Sequence, residues 1–369
     1  MKDTSGRLRT VPPVPQPLRM IDLFAGCGGL TAGFMATGHY APVAAVEHDL
    51  AAAATYAVNF GEDNVHWGDI EDWVTGDIPA ADVVVGGPPC QGFSNLGARR
   101  NRDPRNSLWR RYVDTLVAIE PQAFLLENVD RFATSGQFRG LVRETHRSGR
   151  LRDYRLDRHI VRTTDFGAAQ LRRRIIVIGT HRDLNKIEVP RLQTPKDQWS
   201  TVQNAIGDLE AHVDPDNKDL PDFTTETFGQ VVPGVYKSSD LHITRNYTDI
   251  SLQRFAHIPT GGNRLNLPDH LKAPCWRGHD TGSLDVMGRM HWHKPSVTIR
   301  TEFFKPEKGR YLHPDENRAI THHEAARLQG FPDDFQWCGT KLQIARQIGN
   351  AVPVPLAQAL GLHLRYKLG

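Results

Sequence analysis

Short apolar runs alternate with helical segments between residue 19 and about residue 180, and this alternation limits the fold more than any other feature. Two helical patterns, LAAAATYAVNF (50–60) and SLWRRYVDTLVAIE (107–120), lie among the runs. Alternation of strands with helices predicts parallel strands in a doubly wound α/β domain. The predicted strands, buried on both faces, are RMIDLF (19–24), PVAAVE (42–47), ADVVVGG (81–87), AFLLENV (123–129) and RRIIVIG (173–179).

The pattern changes after about residue 190. Residues 191–295 are rich in Pro, Asp, Thr, His and Gly and hold no long periodic segment, so we expect a second, loop-rich domain. Regular structure returns where Thr321 and Glu324 form a capping-box pattern, and the last helix, VPLAQALGLHLRYKL, is expected to pack on the first domain. The predicted divisions are a flexible arm (1–18), a large domain (19–190 plus 343–369) and a small domain (191–342).

Composition is that of an ordinary globular protein and excludes few functions. The net charge of +3 does not by itself indicate nucleic acid, and no apolar run approaches the length of a membrane span. Four scattered cysteines predict free thiols in a reducing compartment. Between residues 99 and 111 there are six arginines and one acid, Asp103. Such a segment either contacts phosphates or is a solvated charged face.

A glycine-rich turn in DLFAGCGGL (22–30) connects the first strand to a helix. Such a turn lets the backbone approach a ligand at a helix N-terminus. Glu47 follows about twenty residues later, where a carboxylate grips ribose hydroxyls, and Asp69 could reach an adenine amino group. The G-x-G-G spacing favours a nucleoside cofactor without a pyrophosphate. A mere tight turn with two surface acids is the alternative.

Cys90 in VVVGGPPCQGFSN (83–95) follows the end of a predicted strand, where open α/β sheets bind their ligands. Gly86 and Gly87 allow a sharp turn, and Pro88 and Pro89 restrict the backbone that aims the sulfur. A packing cysteine would lie inside an element, so the pattern favours a nucleophile.

Two further strand ends carry charged side chains. Glu127 follows an apolar strand and, if that strand neighbours the one before Cys90, could act as a proton donor. Arg172 and Arg174 are two residues apart and face the same side at the start of another strand. Each of these side chains could also be an ordinary surface charge at the edge of a sheet, without a functional role.

Together these stretches resemble the DNA cytosine-5 methyltransferase family. DLFAGCGGL is similar to its first cofactor motif, PPCQGFS to its nucleophile motif, ENV to its glutamate motif and QLRRR to its Q-x-R-x-R motif. RAITHHEAARLQGFP and QIGNAVPVPLAQALG are similar to its last two motifs. The motifs occur in the family's order from about residue 20 to 182 and from 295 to the end. The resemblance implies a Rossmann-like S-adenosylmethionine-dependent domain and a target-recognition region at about 191–295.

The resemblance also implies a reaction. The Cys90 thiolate adds to C6 of a cytosine flipped out of duplex DNA, while Glu127 binds N3 and Arg174, aided by Arg172, holds O2. C5 takes the methyl group of S-adenosylmethionine, leaving S-adenosylhomocysteine. The arginine-rich segment falls where the family has its mobile catalytic loop, which favours phosphate contacts there, and Asn128 is expected to brace the nucleophile loop.

By resemblance, individual residues receive binding roles. No metal is expected, because the histidine pairs of the sequence show no convincing ligand frame. His48 departs from the family, which often has a larger aromatic residue beside the cofactor. The expected cofactor-binding residues are Phe24, Ala25, Gly26, Gly28, Gly29, Glu47, His48, Asp69, Ile70, Pro89, Leu108, Asn350 and Val352. The expected DNA-binding residues are Gln91, Ser94, Arg99, Arg100, Arg264, Arg277 and Arg289.

The expected protein is a monomeric bacterial enzyme of the restriction-modification type, in the cytoplasm with the nucleoid and not at a membrane. Its partners would be double-stranded DNA and a restriction endonuclease for the same site. Three alternatives stay open at the level of sequence: the same chemistry on RNA, a non-catalytic DNA-binding relative, and a nicotinamide or flavin oxidoreductase.

Overall fold

A computed structural model describes residues 16–89, 108–278, 281–282 and 284–369. Within these ranges, none of the helices has both the length and the apolar character needed to cross a membrane.

Regular elements occur throughout the described part of the chain. The strands are β1 (Leu18–Leu23), β2 (Tyr40–Glu47), β3 (Val65–Trp67), β4 (Val83–Gly86), β5 (Ala123–Val129), β6 (Tyr154–Arg162), β7 (Gln170–Leu171), β8 (Arg173–His181), β9 (Thr224–Thr227), β10 (Gln230–Lys237), β11 (Ser296–Val297) and β12 (Gln336–Cys338). The α-helices are α1 (Gly29–Met35), α2 (Leu50–Phe60), α3 (Ile70–Trp73), α4 (Leu108–Ile119), α5 (Gly136–Glu144), α6 (Val202–Ile206), α7 (Asp249–His257), α8 (His322–Leu328), α9 (Lys341–Asn350) and α10 (Val354–Leu368).

A seven-stranded sheet in the order β3-β2-β1-β4-β5-β8-β6 organises the large domain. The first five strands in this order are parallel. Val83–Val85 of β4 and Ala123–Leu126 of β5 are fully buried, which explains the unbroken apolar runs of these two strands. The fold class is the expected doubly wound α/β arrangement.

One strand departs from the expected parallel sheet. β8 is antiparallel to both β5 and β6 and lies between them. The expectation of parallel strands was wrong here because no helical crossover separates β6 from β8. A single turn of 3₁₀ helix (Thr163–Phe166) and the short strand β7 connect them, so the chain returns in the opposite direction.

Two helix predictions agree with the structure in detail. Thr321 caps α8 through a reciprocal box with Glu324, as the T-x-x-E pattern predicts. The last helix, α10, packs closely on α1. A Cβ added to Gly33 would stand 2.4 Å from the Cβ of Ala357, so only glycine permits this approach.

A smaller antiparallel sheet (β9, β10 and β12) and a two-stranded pair (β7 and β11) complete the fold. Val202, Tyr236 and Leu241 share one apolar core with Ile344 and Cys27 of the large domain. A separate apolar cluster is formed by residues from Tyr247 to Leu312. The predicted boundary at residue 191 stays a prediction. Because residues 202–241 pack into the core of the large domain, the packing favours a smaller second domain, from about residue 247 to 312.

Candidate active site

Most of the described residues with predicted roles lie at one edge of the large sheet. β1, β2, β3 and β4 run parallel, so their carboxyl ends meet there, and β5 joins them. Open α/β sheets bind ligands at this edge.

The glycine-rich turn follows β1 and is fastened to the end of β2 by Glu47. The backbone N–H of Gly26 donates to Glu47 Oε2 over 2.8 Å, and the N–H of Asp49 donates to Oε1 over 2.8 Å. Burial raises the pKa of the Glu47 carboxyl group. Phe24, directly after β1, has a φ of 58°, which is uncommon outside glycine and recurs at functional sites.

The turn is packed on one side and open on the other. A Cβ on Gly28 would lie 2.4 Å from Phe60 Cε2, whereas a Cβ on Gly26 would meet no atom of the described part of the chain within 4 Å. A Cβ on Gly29 would lie 2.7 Å from the carbonyl oxygen of Val352, so the C-terminal motif reaches the turn. An open glycine cradle beside a carboxylate fits a nucleoside cofactor.

The other residues expected at the cofactor surround this turn. Phe24 and Leu108 are half-buried and pack against the cluster that contains Ile70. Asp69 is exposed and caps α3, where its Oδ1 accepts the Glu71 N–H over 2.9 Å. The N–H of Ala25 donates to the Val46 carbonyl over 3.1 Å. His48 and Asn350 are exposed, and Pro89 is half-buried.

Glu127 and Arg174 are in direct contact. β5 and β8 pair so that Val129 lies opposite Arg174, and Arg174 Nε is 2.6 Å from Glu127 Oε1. The contact is an ion pair whose angles are not those of a hydrogen bond. Both side chains are largely buried, with 13% and 10% of their surfaces exposed, so the pair is shielded from bulk water.

The chain that leads to Cys90 is fastened to β5. Asn128 Nδ2 donates to the Pro88 carbonyl over 2.8 Å, as expected for a residue that braces this loop. A Cβ on Gly87 would be 3.3 Å from Glu127 Oε2, so the carboxyl group lies against the backbone three residues before the cysteine. Cys90 itself lies outside the described residues, together with Gln91, Ser94, Arg99 and Arg100.

Arg172, two residues before Arg174, is 4% exposed. Its Nη1 donates to the carbonyls of Gly349, over 3.0 Å, and Ile299, over 3.3 Å. Burial and, second, repulsion from Arg174 lower the pKa of Arg172 to about 9. These contacts tie the residue between β7 and β8 to α9 and indicate a supporting position beside the Glu127–Arg174 pair.

Sequence reasoning did not assign roles to two buried groups near the site. Gln170 Nε2 donates to Gln329 Oε1 over 2.5 Å, while Gln170 Oε1 accepts the Ile299 N–H over 3.2 Å. Asp22 Oδ2 accepts the Thr31 hydroxyl over 2.8 Å, and its Oδ1 has no partner in the described part of the chain. Burial raises the pKa of Asp22 to about 7. Asp22 stands in a motif that the sequence displays, but its burial has no local signal, and the two glutamines are far apart in the chain.

Two of the expected DNA contacts are buried in the structure. Arg289 donates to four carbonyls and to the Asn317 side chain, at 2.6 to 2.8 Å, and is 4% exposed. Arg264 is 6% exposed and donates to the Thr281 carbonyl over 3.1 Å. Their placement argues against DNA contact at both positions, because the guanidinium groups hold the small domain together. Arg277 is exposed and remains a candidate.

The profile of the C-5 cytosine-specific DNA methylases matches residues 18–365. The chain belongs to this family. As a DNA cytosine-5 methylase it transfers a methyl group and so requires a methyl donor. The glycine turn, the Cys90 loop, Glu127 and the Arg172–Arg174 segment all lie inside the matched range.

Relatives of this methylase include bacterial Type II enzymes. The chain is 32% identical over 352 residues to the Type II methyltransferase M1.HphI of Haemophilus parahaemolyticus, covering 93% of this chain and 85% of that protein. It is 30% identical over 370 residues to M.DdeI of Desulfomicrobium norvegicum, covering 93% and 87%. A solved structure of an E. coli prophage-encoded protein, described as a DNA modification methyltransferase, superposes with a TM-score of 0.69 at 25% identity, over 95% of this chain and 99% of that one.

Proposed function

We propose that this methylase transfers the methyl group of S-adenosylmethionine to C5 of one cytosine in a specific duplex DNA sequence, through a transient bond between Cys90 Sγ and C6. The observation that carries the proposal is the buried Glu127–Arg174 contact, which lies against the backbone leading to Cys90. N3 and O2 are neighbouring atoms of cytosine, and two side chains in contact with each other suit two neighbouring atoms of one ring edge.

The proposed roles follow from the chemistry of each side chain. The Cys90 thiolate adds to C6, and the electron pair displaced from the C5–C6 bond makes C5 nucleophilic. Glu127 hydrogen-bonds or protonates N3, and Arg174 donates to O2, so negative charge does not build up on the ring. C5 then accepts the methyl group, loses its original hydrogen as a proton, and the C6–Sγ bond breaks to restore the ring.

The cofactor site is the glycine turn with Glu47. S-adenosylmethionine supplies an activated methyl group on a sulfonium and leaves S-adenosylhomocysteine. Glu47 retains lone pairs for ribose hydroxyls beyond the two N–H groups that it accepts. Asp69 and Ile70 would flank the adenine, with Phe24, Leu108 and Val352 as apolar walls.

The burial of Glu127 and Arg174 requires the target base to leave the helical stack. A base inside a duplex cannot place its pairing edge against side chains that are almost closed to solvent. We therefore infer base flipping into this pocket.

The Type II relatives suggest the biological setting. We propose a monomeric enzyme that works in the bacterial cytoplasm beside a restriction endonuclease of the same specificity and protects the sites that the endonuclease would cut.

The test has two stages. Methylation of genomic DNA followed by bisulfite sequencing identifies the methylated base and its sequence context. A duplex carrying 5-fluorocytosine at that base should then form a denaturation-resistant complex, because fluorine at C5 cannot leave as a proton. The wild type should form this complex and Cys90→Ala should not.

The matched control is Cys275→Ala, which removes an exposed free thiol and should leave the complex intact. A covalent complex that persists in Cys90→Ala would contradict the assigned nucleophile. An RNA strand of the same sequence provides the comparison for the alternative substrate, and preferential methylation of the RNA would overturn the DNA assignment.

A further inference from the structure

A further concave site lies next to β7, the strand that directly precedes Arg172. It is a half-open cavity of about 280 Å³ beside β11, lined among others by Gly261, His291, Lys294, Ser296 and Arg310. Its volume is slightly below the roughly 300–1,000 Å³ of pockets that hold whole drug-sized ligands. The size suits a phosphate group with part of its sugar.

The cavity is positively charged. Lys294 is exposed and forms no ion pair with an acidic side chain in the described ranges. Desolvation lowers the pKa of His291, and repulsion from the positive charges of Lys294 and Arg310 lowers it further. A cationic environment of this kind repels a metal cation and attracts an anion.

Arg310 is held in one position beside the cavity. Its Nη1 donates to the carbonyls of Gly261, Gly262 and Arg289 over 2.7, 2.8 and 2.9 Å, and its Nε donates to Asp285 over 3.2 Å. The guanidinium group is therefore already ordered, and its remaining N–H groups can bind a ligand without the entropy loss of ordering a free side chain.

Ser296 provides an unused hydrogen-bonding group in the wall. It is 2% exposed, and its Oγ has no hydrogen-bond partner among the described residues. Its backbone N–H is already engaged, because it donates to the Ala169 carbonyl over 2.9 Å. A buried hydroxyl without a partner is unfavourable, and a ligand in the cavity that accepts its proton would satisfy it.

The fold connects this cavity to the catalytic site. In the β7–β11 pair Ser296 lies opposite Gln170, and Val297 lies opposite Leu171, the residue before Arg172. The carbonyl of Ile299, three residues beyond Ser296, accepts from Arg172. The cavity therefore lies beside the chain segment that leads into Arg172 and Arg174.

We propose that this cavity binds a phosphodiester group of the DNA strand that carries the target cytosine. Lys294 supplies the charge, while the Ser296 hydroxyl and the Arg310 guanidinium supply hydrogen bonds. The inference rests on the proposed action on DNA and adds a phosphate contact to it.

The test measures the affinity for duplex DNA as a function of salt concentration. Lys294→Gln should raise Kd about 5-fold near 0.15 M salt and reduce the slope of log K against log salt by about 0.9, since one fewer counterion is released. The control Lys367→Gln removes an exposed lysine near the end of α10 and should change neither quantity.

Ser296→Ala separates ligand binding from a structural role. The hydroxyl has no hydrogen-bond partner among the described residues, so its removal should leave the melting temperature unchanged or raise it, while Kd for DNA rises about 10-fold. A structural hydroxyl would instead lower the melting temperature.

The possible results separate a failure of the phosphate site from a failure of the proposed function. If the wild type binds duplex DNA and Lys294→Gln binds it with the same Kd and salt slope, the phosphate site is refuted and the methylase assignment stands. If the wild type binds no DNA, both are refuted. A melting temperature that rises with inorganic phosphate only when Lys294 is present, without any change in DNA affinity, would assign the cavity to free phosphate instead.

Discussion

Asp22→Asn should change how the stability of the protein depends on pH. Asp22 is 1% exposed beneath the glycine turn, and burial raises the pKa of its carboxyl group from 3.8 to about 7. The groups around it are the Thr31 hydroxyl, which donates to it, and the carboxyl group of Glu47, whose charge raises the pKa further. The phenol of Tyr56 hydrogen-bonds to Thr31 over 3.0 Å.

The direction follows from proton binding in the two states. Between the two pKa values the folded protein holds the proton and the unfolded chain has lost it, so the free energy of unfolding falls as pH rises. A pKa raised from 3.8 to about 7 corresponds to about 4 kcal/mol in total. Between about pH 5 and about pH 8 the free energy of unfolding falls by about 2–3 kcal/mol of this total, and most of the fall occurs below pH 7.

Asparagine does not titrate and still offers an oxygen to Thr31. The free energy of unfolding of Asp22→Asn, measured by urea denaturation with tryptophan fluorescence, should therefore rise relative to wild type by about 2–3 kcal/mol over that pH range. Constant effects of the substitution cancel, because only the change with pH is compared. The control Asp216→Asn removes a carboxylate whose side chain is 96% exposed and should follow the wild-type curve. A difference between wild type and Asp22→Asn that stays flat over this range would refute the reasoning.

Two other predictions test the structure around the site. Asn128→Ala removes the hydrogen bond to the Pro88 carbonyl, so the turnover rate should fall about 10- to 100-fold while the Kd for S-adenosylhomocysteine stays near that of the wild type; an equal loss of cofactor binding would point to general misfolding instead. Arg289→Ala leaves four carbonyls without their donor and should lower the free energy of unfolding by at least about 3 kcal/mol. A variant that is as stable as wild type but weak in DNA binding would restore Arg289 as a DNA contact.

Local features of the fold were predictable because the responsible interactions are close in the chain. The bounds of α2 and α10 follow from short periodic segments, and the α8 box needs only Thr321 and Glu324. The reversed direction of β8 was not predictable, because an apolar strand looks the same in either direction. Its direction depends on the connection through β7, which carries no periodic signal.

The roles of the individual arginines were also not predictable from the sequence. Arg172, Arg174, Arg277 and Arg289 are chemically identical in the sequence. Only Arg174 meets Glu127, Arg172 is buried, and Arg289 is enclosed by backbone carbonyls, while Arg277 stays in solvent. Burial depends on which distant segments pack around a side chain, and this information is not present in its neighbours.

The sequence by itself determined the fold class, the family and the set of reactive groups, because strand–helix alternation and short motifs are local properties. Tertiary structure decided which groups meet: Glu127 with Arg174, Asn128 with Pro88, Gln170 with Gln329, and Ser296 with a cationic cavity. These contacts join residues that are far apart in the chain or on different strands, and their energies exist only once the segments are packed. The same packing decides which charges lose their water and which remain available to DNA.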